Sequence, residues 1–151
     1  MGIQRVAYMN VGTGCVATHV FLESCAQKEV GICLVGECWV VPAGNGTQSH
    51  PDYVMLGNAS RGTKVVVFVR KDLVDAVPLV AATACAVVVE VGECRVGGVY
   101  RKCGVSVHAI EDWLGTLEGW IGGEIGCWWG IGMPITTRGH WMGGQDLGPG
   151  C

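Results

Sequence analysis

The chain has 151 residues, enough for one domain with a hydrophobic core. Half of its residues are hydrophobic and only 15% are charged, which excludes a disordered or collagen-like chain. A net charge of −3 gives no general attraction to phosphate backbones, so any contact with nucleic acid requires a local basic patch.

The predicted elements alternate between short apolar strands and two helices. Strand patterns are separated by turns rich in glycine, and the apolar spacing of residues 15–28 is helical. A second helix is expected from near His108 to Ile121. Because strands are flanked by a helix at each end, we expect a layered α/β or α+β domain. The predicted strands are residues 5–11, 31–35, 53–56, 64–69, 86–91 and 94–100, with a loop over 42–51.

No segment of the chain is typical of a membrane span or a secretory signal. The uncharged run of residues 76–89 falls short of the roughly eighteen residues that cross a bilayer. Gln4 and Arg5 precede a short strand-like run where a signal peptide has a long apolar core. We therefore expect an intracellular protein, nuclear or cytoplasmic, that is not secreted and has no membrane partner.

The nine cysteines are predicted to be reduced core thiols without disulfide partners. Their number is odd, and Cys33, Cys85 and Cys94 lie in apolar strand-like runs. No C-x-x-C pair is present, and the four histidines have no ligand spacing to any cysteine. A zinc site is therefore not expected.

The last thirty-three residues differ from the rest of the chain. Eleven of the twenty-five glycines and four of the six tryptophans lie in residues 119–151. Neither the helical nor the alternating period fits this tail, so it is predicted to be irregular.

One candidate site is a glycine-rich turn that follows the first strand. Gly12, Gly14 and Ala17 form a G-x-G-x-x-A pattern that opens the first helix, and Glu37 ends the next strand. Such a turn can hold a pyrophosphate at a helix N-terminus while the acid binds a ribose hydroxyl. This pattern favours a dinucleotide-binding α/β domain, although few helices separate the remaining strands.

A second candidate site combines polar residues at three predicted strand ends. Asn10, Glu37 and Tyr100 each end a strand or follow its end, and can converge on one rim. Each also has an ordinary structural explanation: a satisfied strand end, a solvated acid and a core tyrosine with a wet hydroxyl. The chain resembles the endonuclease domain of LINE-like (non-LTR) retrotransposons, in the endonuclease/exonuclease/phosphatase superfamily, over about residues 5–122. The blocks that carry the resemblance, in order, are 8–12 (YMNVG), 36–40 (GECWV), 50–53 (HPDY), 67–73 (VFVRKDL) and 98–101 (GVYR).

This resemblance implies an α+β sandwich of two β-sheets flanked by helices and a Mg²⁺-dependent hydrolysis of DNA phosphodiesters. By position, Glu37 would hold the metal, while Asn10 and Tyr100 would act at the metal and the scissile phosphate. Mg²⁺ prefers hard oxygen ligands and takes one or two carboxylates together with water and substrate oxygens. Arg101 and Lys102 are the expected substrate-binding residues. A basic patch would be completed by Arg61, Lys64, Arg70 and Lys71.

The family pattern breaks near Ile121. Family members continue with a strand ending in G-D-x-N-A-H-H, and much later with an Asp-His pair that acts as base; neither is present here. A shifted reading frame offers an explanation. In that frame, each new codon consists of the last base of one codon and the first two bases of the next. The genetic code then forces Leu, Val, Gly and Ala at the junctions 127/128, 128/129, 129/130 and 133/134. The three junctions between these permit Asp, Trp and Asn, and the two that follow permit His and His, so the hidden frame can spell L-V-G-D-W-N-A-H-H.

These observations predict a truncated domain over residues 1–122 and an out-of-frame tail over 123–151. The C-terminal strands of the second sheet would then be missing, leaving exposed apolar faces and unpaired edges. We expect a pseudoenzyme without significant nuclease activity and with marginal stability. The alternatives at this stage are the dinucleotide-binding domain and a small structural or interaction protein with a tryptophan-rich tail.

Overall fold

The structure is a computed structural model that describes residues 5–42, 46–92, 94–100, 126–130 and 135–136. One α-helix, α1 (Cys15–Gln27), follows the first strand, and a short 3₁₀ helix spans Lys71–Ala76. The strands in chain order are β1 (Val6–Asn10), β2 (Ile32–Gly36), β3 (Tyr53–Leu56), β4 (Val65–Arg70), β5 (Leu79–Ala82), β6 (Ala86–Val91), β7 (Cys94–Val99), β8 (Gly126–Gly130) and β9 (Ile135–Thr136).

The first sheet has the strand order β1-β2-β4-β3. β1 and β2 are parallel because α1 carries the chain back between them, whereas β2 pairs antiparallel with β4, and β4 with β3. Every residue of β2 is buried, which explains its continuous apolar sequence. The register pairs Asn10 with Gly36, so β1 and β2 end side by side.

The second sheet has the order β5-β6-β7-β8-β9 and packs against the first. Alternate residues of β2 and β4 face opposite sides, because successive side chains of a strand point in opposite directions. Cys33, Val35 and Phe68 pack under α1, while Leu34 and Val67 pack between the sheets. The layer between the sheets extends to the edge of the first sheet at which β1 and β2 end.

Gly98 allows close approach of the two sheets. A Cβ atom at this position would lie 3.1 Å from Cγ2 of Val65 and 3.3 Å from Cδ2 of Leu34. Contacts this short require neighbouring side chains to move. The absence of a side chain at Gly98 therefore brings β7 close to β2 and β4.

The α+β architecture with two sheets is confirmed, and the first helix and the expected strands occupy their predicted positions to within about two residues. Before residue 100, two elements were not predicted: the 3₁₀ helix and β5, whose residues lie in an uncharged run interrupted by Pro78. The helix expected near residues 108–121 lies outside the described residues. Within the described ranges, no helix is long and apolar enough to span a membrane.

Two short segments of the tail, which the sequence predicts to be irregular, form strands. β8 pairs parallel with β7, and β9 pairs antiparallel with β8, so the second sheet continues beyond β7. The physical reason is that a sheet edge pairs through backbone N–H and C=O groups, which every residue except proline offers. Side-chain periodicity therefore does not report this pairing.

Candidate active site

The candidate site lies where β1 and β2 end. Asn10 is paired with Gly36, the residue before Glu37, and the Val11 N–H donates to the Gly36 carbonyl at 3.0 Å. Two parallel neighbouring strands place their carboxyl ends at the same edge of a sheet. This arrangement brings Asn10 and Glu37 to one rim.

Glu37 has an unusual backbone conformation for a residue with a side chain. Its φ is +47°, in the left-handed region, which costs about 1–2 kcal/mol for a residue other than glycine. The Thr13 N–H donates to the Glu37 carbonyl at 2.7 Å. The loop after β1 therefore holds the backbone of Glu37 in this conformation.

Tyr100 reaches the same rim from the second sheet. Its N–H donates to the Cys85 carbonyl at 2.8 Å, which fixes the chain at the end of β7. Its hydroxyl then donates to Oε1 of Glu37 at 3.2 Å. Burial, followed by the charge of Glu37 and this hydrogen bond, raises the pKa of Tyr100. This hydrogen bond therefore connects the rim of the first sheet to the end of β7 in the second sheet.

Asn10 is oriented by the turn that follows it. Its Oδ1 accepts a hydrogen bond from the Gly12 N–H at 2.9 Å. Gly12 adopts a φ of +57°, a conformation that glycine enters without steric cost. The turn therefore fixes the Asn10 side chain beside the end of β2.

Tyr8 is a further polar residue of this region that sequence reasoning did not select. It packs against the inter-sheet layer together with Tyr100. Its hydroxyl oxygen is buried and has no hydrogen-bond partner among the described residues. Burial, the charge of Glu37 and the Tyr100 phenol together raise its pKa. The sequence signal was its position two residues before Asn10, which places both side chains on the same face of β1.

The donor set at the rim fits part of a magnesium site. Glu37 supplies a carboxylate and Asn10 an amide oxygen, both hard ligands of the kind that Mg²⁺ takes alongside water and substrate oxygens. Within the part of the chain that the structure describes, no group of three or more His, Cys, Asp or Glu side chains is placed to hold a metal ion. The rim therefore offers a partial ligand set, and the metal role of Glu37 stays a prediction, as do the catalytic roles of Asn10 and Tyr100.

Two residues of the expected basic patch, Arg70 and Lys71, lie away from the rim. Arg70 forms an ion pair with Asp72, with 2.6 Å between Nε and Oδ1. It follows Val69, whose register partner is Ile32 at the start of β2. Arg70 and Lys71 are thus at the opposite end of the first sheet, because β4 runs antiparallel to β2. Lys64 precedes β4 and lies at the rim end, where Val65 is paired with Gly36. Arg101 and Lys102 lie outside the described residues.

The dinucleotide interpretation is not supported by the structure. The N–H groups of Gly12, Thr13 and Gly14 already donate within the protein, to Asn10 Oδ1, the Glu37 carbonyl and the Val11 carbonyl. These groups are therefore not available to cradle a phosphate. The first sheet also contains two antiparallel pairs, whereas a doubly wound dinucleotide fold is built on parallel strands.

A solved structure shares this architecture. The chain is similar to the "Endonuclease domain of TRAS1, a telomere-specific non-LTR retrotransposon", with a TM-score of 0.64 and 15% sequence identity. The similarity covers 85% of this chain and 58% of that domain, so the chain spans less than two thirds of its length. No family model and no curated protein matches the sequence. The chain therefore shares the fold of part of that domain.

Proposed function

We propose that this chain derives from a Mg²⁺-dependent DNA endonuclease domain of a retrotransposon and is inactive as translated. The observation that carries the proposal is the hydrogen bond from the Tyr100 hydroxyl to the Glu37 carboxylate, beside Asn10, on a fold similar to such a domain. These are the three residues that the sequence resemblance selects for a phosphodiesterase site.

The chain's residues have distinct parts in this proposal. Glu37, held by the loop after β1, would bind the metal, and Asn10 would present its amide to the metal or the phosphate. Tyr100 would donate to an oxygen of the phosphodiester, since its raised pKa keeps the hydroxyl protonated. Mg²⁺, when bound, supplies stabilisation of the negative charge that develops on a phosphodiester under attack.

Inactivity follows from the residues that the chain lacks. The aspartate and asparagine of the family motif, which would orient the water and the phosphate, are absent from the residues that follow Ile121, where the motif would stand. Residues that act as a unit in catalysis lose most of the rate when one of them is removed. Glu37 alone is also a weak ligand set for Mg²⁺.

The strand register supports a shifted reading frame as the cause. β8 is parallel to β7, with Gly130 paired to Val99, so both strands end at the same edge. In the hidden frame the codons of Cys127 to Gly130 encode Leu-Val-Gly, and the following junction permits Asp. An aspartate following β8 would lie next to the position of Tyr100, at the rim that holds Glu37.

The nucleotide sequence behind residues 120–151 tests the frameshift directly. We expect its codons to spell L-V-G-D-W-N-A-H-H out of phase, followed by Leu-Asp-Gly at 140–143. Codons that encode other residues at the permitted junctions would eliminate the frameshift.

Nicking of supercoiled plasmid in Mg²⁺ tests the activity. The present chain is expected to leave the plasmid intact, and a chain re-framed after residue 122 and extended by the downstream codons is expected to nick it. Nicking by the present chain would show that the inactivity proposal is wrong. A folded re-framed chain without activity would contradict the endonuclease ancestry.

A further inference from the structure

We propose that Tyr8 is a ligand-binding residue of the rim, whose hydroxyl donates a hydrogen bond to a phosphate oxygen of bound DNA. This inference rests on the proposed function, since it names a further contact of the same site. It starts from the buried Tyr8 hydroxyl, which has no partner within the described ranges.

Strand geometry places Tyr8 directly below the rim. Tyr8 is paired with Leu34, and Asn10 with Gly36, so each pair lies two residues from the other along adjacent strands. Gly98 packs over Leu34 from the second sheet, and Tyr100 follows Gly98 by two residues. Tyr8, Leu34 and Gly98 therefore form one layer, and Asn10, Gly36 and Tyr100 form the next layer outward.

The Tyr8 side chain is a hydrogen-bond donor at neutral pH, as any phenol is. A neutral phenol with a free O–H needs an oxygen acceptor, and a buried hydroxyl without one is unfavourable. A phosphate oxygen at the Glu37–Tyr100 rim would meet this need, with a cation on Glu37 offsetting the repulsion between carboxylate and phosphate.

The matched control is Tyr53, a buried tyrosine at the other end of the first sheet. Its hydroxyl donates to the Val30 carbonyl at 2.7 Å, so it already has a partner. The substitutions Tyr8→Phe and Tyr53→Phe each remove one buried hydroxyl group, the first near the rim and the second far from it. Comparing them separates a ligand contact from a structural one.

The experiment measures binding of a short DNA duplex to the full chain in Mg²⁺ by fluorescence anisotropy, and thermal unfolding of each variant without DNA. We expect Tyr8→Phe to weaken duplex binding about tenfold, the effect of one hydrogen bond to a charged oxygen, with an unchanged or higher Tm. Tyr53→Phe should lower the Tm and leave the affinity for the duplex unchanged.

The other outcomes overturn the inference in distinguishable ways. If native chain and Tyr8→Phe bind the duplex equally, the role of Tyr8 is wrong while the proposed function stands. If the native chain does not bind the duplex at all, the inference falls, while the proposed ancestry is still decided by the nucleotide sequence and the re-framed chain. If Tyr8→Phe lowers the Tm as Tyr53→Phe does, the hydroxyl has a structural partner. If Tyr8→Phe weakens binding of Mg²⁺ alone, the acceptor is a metal-bound water and the phosphate assignment is wrong.

Discussion

The two ends of the first sheet differ in whether their polar groups have partners. At the amino end of β2, Arg70 forms a paired contact with Asp72, and the Tyr53 hydroxyl donates to a backbone carbonyl. At the carboxyl end, the Tyr8 hydroxyl has no partner within the described residues. Unmet hydrogen-bonding capacity is typical of sites that bind something, whereas satisfied groups are typical of structure. The contrast supports the proposal that the carboxyl end carries the site.

The largest expected effect separates the two ends by activity. In the re-framed chain, Glu37→Gln should reduce plasmid nicking at least about a hundredfold, because it removes the carboxylate that would hold the metal. Asp72→Asn removes a carboxylate from the opposite end and should leave nicking unchanged. A re-framed chain that keeps its activity with Glu37→Gln would contradict the site assignment.

A smaller effect separates the ends by stability. Tyr53→Phe leaves the buried Val30 carbonyl without its donor and should lower the free energy of unfolding by about 1–3 kcal/mol. Tyr8→Phe should leave that free energy unchanged or raise it, because the hydroxyl it removes has no partner among the described groups. Chemical denaturation of both variants measures the difference. Equal losses would contradict the contrast.

The alkaline titration of tyrosine gives a third comparison. All three tyrosines of the chain have raised pKa values, and burial is the main cause for each. Their pKa values are higher in the folded state than the ordinary value of about 10. The contribution of these tyrosines to the free energy of unfolding is therefore complete below pH ~10 and is lost as pH rises through the folded values. We expect phenolate absorbance of the native chain to appear at higher pH than in denaturant.

The variant Glu37→Gln refines this titration. Removing the carboxylate charge should lower the pKa of Tyr8 and Tyr100, which it raises, and should leave Tyr53 unchanged. Absorbance titrations of single-tyrosine variants assign each transition. A shift of Tyr53 by the same amount would mean that the charge does not act locally.

The smallest expected effect concerns the exposed ion pair. The Arg70 guanidinium lowers the pKa of Asp72, so the pair stabilises the fold above the ordinary carboxyl pKa near ~4, and that contribution is lost as pH falls through the lower folded value. Asp72→Asn should slightly lower the Tm at neutral pH and low salt, with no effect in high salt. Asp75→Asn, which removes a charge from the same 3₁₀ helix, is the matched control. Equal Tm changes in both variants would show that net charge, and not the pair, is responsible.

Local patterns predicted much of the architecture and the residue types of the rim. The apolar run of β2 and the valine-rich run of β4 indicate strands because their side chains are buried on both faces. Asn10 and Glu37 were expected at one edge because each stands at the end of a predicted strand. The placement of Arg70 in a basic patch at the rim was wrong, because Arg70 would come close to the rim only if β4 ran in the other direction.

The sequence by itself determined where the strands and α1 form, since burial imposes a period that can be read locally. It also determined which side chains could act together at strand ends. Only the tertiary structure decided that Tyr100 meets Glu37 from the other sheet, that Glu37 has a positive φ, and that Tyr8 lies below them with a buried hydroxyl. The reason is that the register of two sheets and their close approach at Gly98 depend on packing between residues far apart in the chain, which no local pattern encodes.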